Sequence, residues 1–105
     1  MQMSYRLLVN PGTPQAWEIQ LQPGVTRVGR DEANDFTLNH ESVSGAHCEI
    51  TVNDTGVFLK DLGSTNGTRL NDELLVGTRS HSLQAGDEIR IAEFTLTFSD
   101  GPLTH

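Results

Sequence analysis

The stretch Glu88-Ile89-Arg90-Ile91-Ala92-Glu93-Phe94-Thr95-Leu96-Thr97-Phe98 decides the fold. Apolar side chains at Ile89, Ile91, Phe94, Leu96 and Phe98 alternate with polar ones, except where Ala92-Glu93 interrupts them. Period two with a two-residue break predicts a half-buried strand, a turn and a second strand. The same rule puts Cys48, Ile50 and Val52 on one face of another strand, with His47, Glu49 and Thr51 on the other. Working outward, further strands are expected at Tyr5 to Val9, Trp17 to Leu21, Val25 to Val28, Val57 to Leu62, Glu73 to Leu75 and His81 to Leu83. Short pieces fall around Phe36 to Leu38 and Thr68 to Leu70.

Turn chemistry separates these pieces. Pro11-Gly12, Pro23-Gly24, Asn53-Asp54, Asn66-Gly67, Asn71-Asp72 and Ala85-Gly86-Asp87 each supply residues that tolerate tight or left-handed backbone. Ten Gly and four Pro are spread so evenly that few stretches could hold a helix of three turns. Many short strands at regular spacing predict an all-β sandwich or barrel. The segment Asp31 to Ser44 is the exception, being long and polar with only Phe36, Leu38 and Val43 to anchor it. It reads as a loop around a brief strand, and long ordered loops tend to carry function.

With 105 residues the chain has room for one hydrophobic core. The reading is one domain over 1–105, with its core from about 5 to 99. There is no internal repeat, low-complexity tract or linker. Seven Lys and Arg against 14 Asp and Glu give a net charge of -7. That balance argues against holding nucleic acid or an anionic membrane by counterion release, so any bound anion needs a local site. Met1 to Leu8 has no basic region followed by a long apolar run, and no stretch approaches the ~20 apolar residues of a membrane span. A soluble, unexported, cytoplasmic protein is expected, and the single Cys48 fits a reducing compartment. In that setting Asn53-Asp54-Thr55 and Asn66-Gly67-Thr68 read as turns and not as glycosylation acceptors.

Three loop segments carry candidate functional residues: Gly29-Arg30, Ser44-Gly45-Ala46-His47 and Gly63-Ser64-Thr65-Asn66-Gly67-Thr68. Taken singly, each has a plain structural explanation. Arg30 would pair with Asp31, Glu32 or Asp35 on the surface, Ser44 would cap a turn, and Asn66-Gly67 would close a hairpin.

Together, in order and spacing, the three segments resemble the forkhead-associated (FHA) domain, whose pattern is Gly-Arg, then Ser-x-x-His, then Asn-Gly. Asn34-Asp35-Phe36, Leu38, Val43-Ser44, Leu70-Asn71, Leu83 and Gly86-Asp87-Glu88-Ile89 extend the likeness over nearly the whole chain. The resemblance implies a sandwich of about eleven strands, with recognition loops at one end and the termini together at the other. It also implies a phosphothreonine-containing peptide or protein as partner, and indirectly a Ser/Thr protein kinase in signalling. Phosphoserine would be refused, because a pocket receives the threonine methyl. On this resemblance Ser44 and Thr65 donate hydroxyls to the phosphate, and Asn66 bonds the peptide backbone beside it.

The residue types suit the task. A phosphate brings about −1.5 to −2 charges and three strong acceptors. Arg30 supplies a planar, permanently charged fork, and Asn66 is donor and acceptor at once. Gly29 is expected to let the chain turn beside Arg30, and Gly67 to take a positive φ. His47, at the start of a strand, reads as structural, and in the family it braces the loops. One departure stands out: where the family often has Arg, Lys or Asn after Ser44, this chain has Gly45. A main-chain contact or a nearby base such as Arg69 is the expected substitute.

Other chemistries find less support. Ser44, His47 and Asp61 suggest a hydrolase triad, but no strained Gly-x-Ser-x-Gly elbow or oxyanion hole accompanies them, so no catalysis is expected. His47 and Cys48 are adjacent, and His40, His81 and His105 lack ligand spacing, so neither metal nor cofactor is expected. Gly63 to Gly67 lacks the Lys-Ser/Thr of a nucleotide loop. Asp31, Glu32, Asp35 and Glu41 form a solvated acidic loop that would favour basic peptide flanks. The rival reading, prompted by Gly45, is the same fold used as a phospho-independent interaction or dimerisation module.

Overall fold

A computed structural model describes residues 3–75 and 77–102. His105 lies outside them, as do Met1 and Gln2 of the leading segment. Eleven strands and no helix are found among the described residues. They are β1 (Met3–Val9), β2 (Trp17–Leu21), β3 (Gly24–Gly29), β4 (Phe36–Thr37), β5 (Cys48–Asn53) and β6 (Gly56–Asp61). β7 (Thr68–Leu70), β8 (Glu73–Leu74), β9 (Ser80–Ser82), β10 (Glu88–Ile91) and β11 (Phe94–Pro102) follow. A six-stranded sheet has the order β2-β1-β11-β10-β7-β8, and a five-stranded sheet the order β4-β3-β5-β6-β9. Only β3 and β4 pair in parallel; the remaining pairs are antiparallel.

The alternation in sequence becomes the inner face of each sheet. Leu7, Val9, Ile19, Ile89, Ile91 and Leu96 of the six-stranded sheet are wholly buried. Val28, Cys48 and Leu59 meet them from the other sheet, and Ile50 is 1 % exposed. Leu38 and Val43, the anchors of the long loop, belong to the same core. Cys48 is a free thiol, and burial, followed by the negative charges of Asp61 and Glu49, pushes its pKa far up, so it sits in the core as an inert apolar group.

The turns follow their residues. Asn71 and Asp72 both take positive φ, 50° and 71°, and close β7 onto β8. Asn53 caps the β5–β6 hairpin by accepting from the Thr55 amide at 2.8 Å and hydroxyl at 2.6 Å. β1 runs against β11 with Met3 opposite Pro102. β7 starts at Thr68 opposite Ile91, so the β6–β7 loop and the Ala92-Glu93 turn share the end away from Met3 and Pro102. The loops after β3 and before β5 also open at that end, because Val28 pairs with Cys48 and Cys48 with Asp61.

Candidate phosphopeptide-binding site

Three loops meet at this end: residues 30–35 after β3, 38–47 before β5, and 62–67 between β6 and β7. Their backbones are tied by bonds between residues distant in sequence. The Arg30 and Asp31 amides donate to the carbonyls of Ser44 (2.9 Å) and Gly45 (3.2 Å). The Asn34 side-chain amide donates to the carbonyls of Asp31 (2.7 Å) and Gly45 (2.6 Å), clamping the first two loops together. Asp35 accepts from the Arg27 amide at 2.8 Å.

The resulting pocket, of 240 Å³, is lined by Arg30, Glu41, Ser42, Ser44, Gly45, Thr65 and Asn66, with Val43 beneath. All four candidate contact residues therefore line one hollow. Arg30 is exposed and has no carboxylate within 4.0 Å among the described residues, despite Asp31, Glu32 and Asp35 close by in sequence. Its Nη1 donates only to the Glu41 carbonyl, at 3.3 Å. Ser44 Oγ accepts from the Thr65 amide at 2.9 Å, which fixes the oxygen and leaves the hydroxyl proton to point outward. Asn66 Nδ2 donates to the Ser42 carbonyl at 2.8 Å, presenting Oδ1 to solvent. A second hollow of 370 Å³ on the far side of the 63–67 loop shares Thr65 and Asn66 and reaches Leu74 and Leu75.

His47 sits at the centre of the loops and is fully buried. Its Nδ1 accepts the Ser44 amide at 3.1 Å, so Nε2 carries the proton and donates to the Gly67 carbonyl at 2.9 Å. Alternation groups His47 with Glu49 and Thr51, but β5 begins at Cys48, and the buried His47 ring bridges two loops, a structural brace as its type and position suggest.

Gly29 also differs from expectation. Its φ is outside the left-handed region, so it makes no special turn; a Cβ there would collide with the Gly45 carbonyl and come within 2.7 Å of Asn34 Nδ2. Glycine is required because two loops press together over it. Gly67 does take positive φ, 85°, and a Cβ there would lie 2.6 Å from Leu74 Cδ1. Arg69 does not line the pocket: its Nη1 donates to the Asp72 carbonyl at 3.3 Å, and it pairs with Arg90 across β7 and β10. The suggested triad does not assemble, since His47 bonds the Ser44 backbone and not its hydroxyl, and Asp61 is engaged elsewhere.

Asp61 is the residue that sequence reasoning passed over as a support. Its Oδ2 accepts the Gly63 and Ser64 amides at 2.9 and 3.0 Å, while Oδ1 accepts the Ser64 and Thr68 hydroxyls at 2.5 and 2.7 Å. Asp followed by Gly-Ser two residues on was the available signal, that of an Asx turn. Burial opposes ionisation and is the largest single influence, but these four bonds together outweigh it and hold the carboxyl below its ordinary pKa. A depressed folded pKa stabilises above the unfolded value and loses that contribution as pH falls through the folded one. Asp61→Asn should therefore lower stability by about 1–3 kcal/mol at pH 7, with the gap to the parent closing in denaturant melts as the pH falls below the ordinary carboxylate range.

A β-sandwich that gathers an unpaired arginine and three polar side chains in loops at one end defines a loop-based recognition module. The chain belongs to the FHA family, whose FHA domain model matches residues 26–92. An oxoglutarate dehydrogenase inhibitor of Corynebacterium efficiens is 36% identical over 96 residues, covering 91% of this chain and 66% of that protein. The chain thus spans just under two thirds of that relative's length. Mycobacterium tuberculosis EmbR, solved with a low-affinity phosphopeptide, superposes with TM-score 0.88 at 30% identity, over 100% of this chain and 26% of EmbR. The N-terminal FHA domain of S. cerevisiae Rad53p, solved with a phosphothreonine peptide, superposes at 0.80 with 26% identity, over 91% of this chain and 92% of that one.

Proposed function

We propose that this chain, as one domain over 1–105, is a phosphothreonine-dependent peptide-binding module acting in Ser/Thr kinase signalling, with no catalytic step of its own. The observation that carries the reading is the exposed Arg30 guanidinium, unpaired beside several carboxylates and facing a pocket with the Ser44 and Thr65 side chains. An arginine held without a counter-ion in an acidic loop is arranged for an anion from outside. In this reading Arg30, Ser44 and Thr65 hold the phosphate, and Asn66 Oδ1 accepts from the peptide backbone. Gly29, His47 and Gly67 keep the loops in place. The Gly45 main chain, which lines the pocket, replaces the side chain that the family often supplies there. The phosphopeptide complexes of EmbR and Rad53p support the assignment. We place the module in the cytoplasm, where such a kinase and a free Cys48 thiol would both be found. Among the described residues no helix is long and apolar enough to cross a membrane.

Two or three charge-assisted hydrogen bonds at about 1.5–3 kcal/mol each would favour phosphorylated over bare peptide by two to four orders of magnitude. Calorimetric titration with matched phosphothreonine, phosphoserine and unmodified peptide libraries tests this. Micromolar binding confined to the phosphothreonine set is expected. Equal binding of unmodified peptides would instead establish a phospho-independent interaction module, the reading that the bare Gly45 favours.

A further inference from the structure

We propose that Asp31 makes this site select phosphothreonine peptides that carry a lysine or arginine within about two residues of the phosphothreonine; this rests on the phosphopeptide reading of the pocket. The starting point is what occupies the space that Gly45 leaves empty. A Cβ built on Gly45 would lie 2.7 Å from Asp31 Oδ2, 3.2 Å from its Cγ and 3.3 Å from Oδ1. A carboxylate thus fills the position next to Ser44 from which a side chain would otherwise extend toward the ligand.

That carboxylate is placed by its backbone and not by a counter-ion. The Asp31 amide donates to the Gly45 carbonyl, and the Asp31 carbonyl accepts both the amide and the side chain of Asn34. The carboxylate itself is exposed, has no cation within 4.0 Å and accepts no hydrogen bond from a described residue. Glu41, unlike Asp31, lines the pocket itself, and it holds Arg30 Nη1 through its carbonyl.

The charges at the pocket therefore do not balance for an incoming dianion. Among the described residues Arg30 is the only basic one lining it, against Glu41 in the lining and the Asp31 carboxylate beside Gly45 at its edge, on a chain of net charge -7. The Asp31 carboxylate abuts Gly45 of the pocket lining, and charges within the Debye length of about 8 Å at physiological ionic strength are not fully screened. A phosphate alone would be attracted by Arg30 and repelled by Asp31. A cation attached to the same peptide resolves the conflict by sitting between phosphate and Asp31. An extended peptide advances about 3.3 Å per residue, which keeps a long basic side chain within reach from about two positions away on either side. The missing donor of position 45 is in effect supplied by the ligand, and acidic flanks are refused because like charges would meet at Asp31.

The experiment is calorimetry on the full chain with one phosphothreonine peptide sequence in versions bearing lysine, alanine or glutamate at the two positions on each side. Lysine versions should bind about three- to tenfold more tightly than glutamate versions at low salt, and the ratio should shrink in 0.5 M salt. In Asp31→Asn, which keeps the shape and removes the charge, the ratio should fall to near one while the alanine peptide binds more tightly. Equal binding of all flanks to the parent chain, or a ratio that survives Asp31→Asn, would overturn the proposal. Failure of every phosphothreonine peptide to exceed its unmodified control would overturn the phosphopeptide reading itself, a distinct outcome.

Discussion

Arg30→Ala is expected to weaken phosphothreonine-peptide binding at least hundredfold while leaving the melting temperature within about 2 °C of the parent. The two halves of that result have separate physical grounds. Among the described residues Arg30 is the only permanent positive charge lining the pocket, and its fork supplies the bidentate, charge-assisted bonds that a dianion needs. Losing it removes about 3 kcal/mol or more from the bound state and leaves Asp31 and Glu41 to repel the phosphate unopposed. In the free protein the same side chain is exposed and makes one long bond, to the Glu41 carbonyl at 3.3 Å, so folding barely depends on it. Arg30→Lys should recover part of the affinity, since the charge returns without the fork. A fall of 10 °C or more in Arg30→Ala, measured by calorimetric melting, would mean that Arg30 is a structural residue.

His47→Ala should show the opposite balance, a stability loss of about 2–4 kcal/mol and a melting temperature about 10 °C or more lower. The imidazole is fully buried, so its removal opens a cavity at the loop junction. It also leaves the Ser44 amide and the Gly67 carbonyl, now 3.1 and 2.9 Å from its ring nitrogens, without partners. Each of those groups belongs to a different recognition loop. Binding should therefore weaken too, but only through loosened positions of Ser44 and Asn66, and peptide at saturating concentration should restore much of the lost melting temperature. A variant with unchanged stability and abolished binding would place His47 in direct contact with the ligand.

The strand content was legible because it follows from local chemistry. Ile89, Ile91, Leu96 and Phe98 alternate with polar neighbours, and the same four side chains form the inner face of β10 and β11. Asn71-Asp72 and Asn53-Asp54 mark tight turns by residue type alone, and the backbone turns there. The candidate binding residues were legible for a related reason: an arginine, a serine and an asparagine in three separate loops are the residue types an anion and a peptide backbone require. The corrections concern residues whose role is set by a neighbour far along the chain. Alternation sets His47 on the face opposite Cys48 and says nothing of the partner its ring meets, Gly67, 20 positions away. Gly29 looks like a turn glycine from its neighbours in sequence, yet it yields space to Gly45. Arg69 lies close enough in sequence to serve as a spare cation, yet it sits on β7 outside the pocket lining.

The eleven strands, the family and the chemical inventory of the loops are all written in residue type, motif order and short-range periodicity. How that inventory is used follows from the packing of the two sheets. That packing leaves Arg30 without a counter-ion among the described residues, ties Ser44 to Thr65 and Asn66 to Ser42 across 21 and 24 positions, and makes Asp61 the hub of a loop. It also sets the Asp31 carboxylate where Gly45 has no side chain. The reason is that such bonds join loops brought together by the pairing of two sheets, and a contact across 20 residues has no local propensity by which a sequence could announce it.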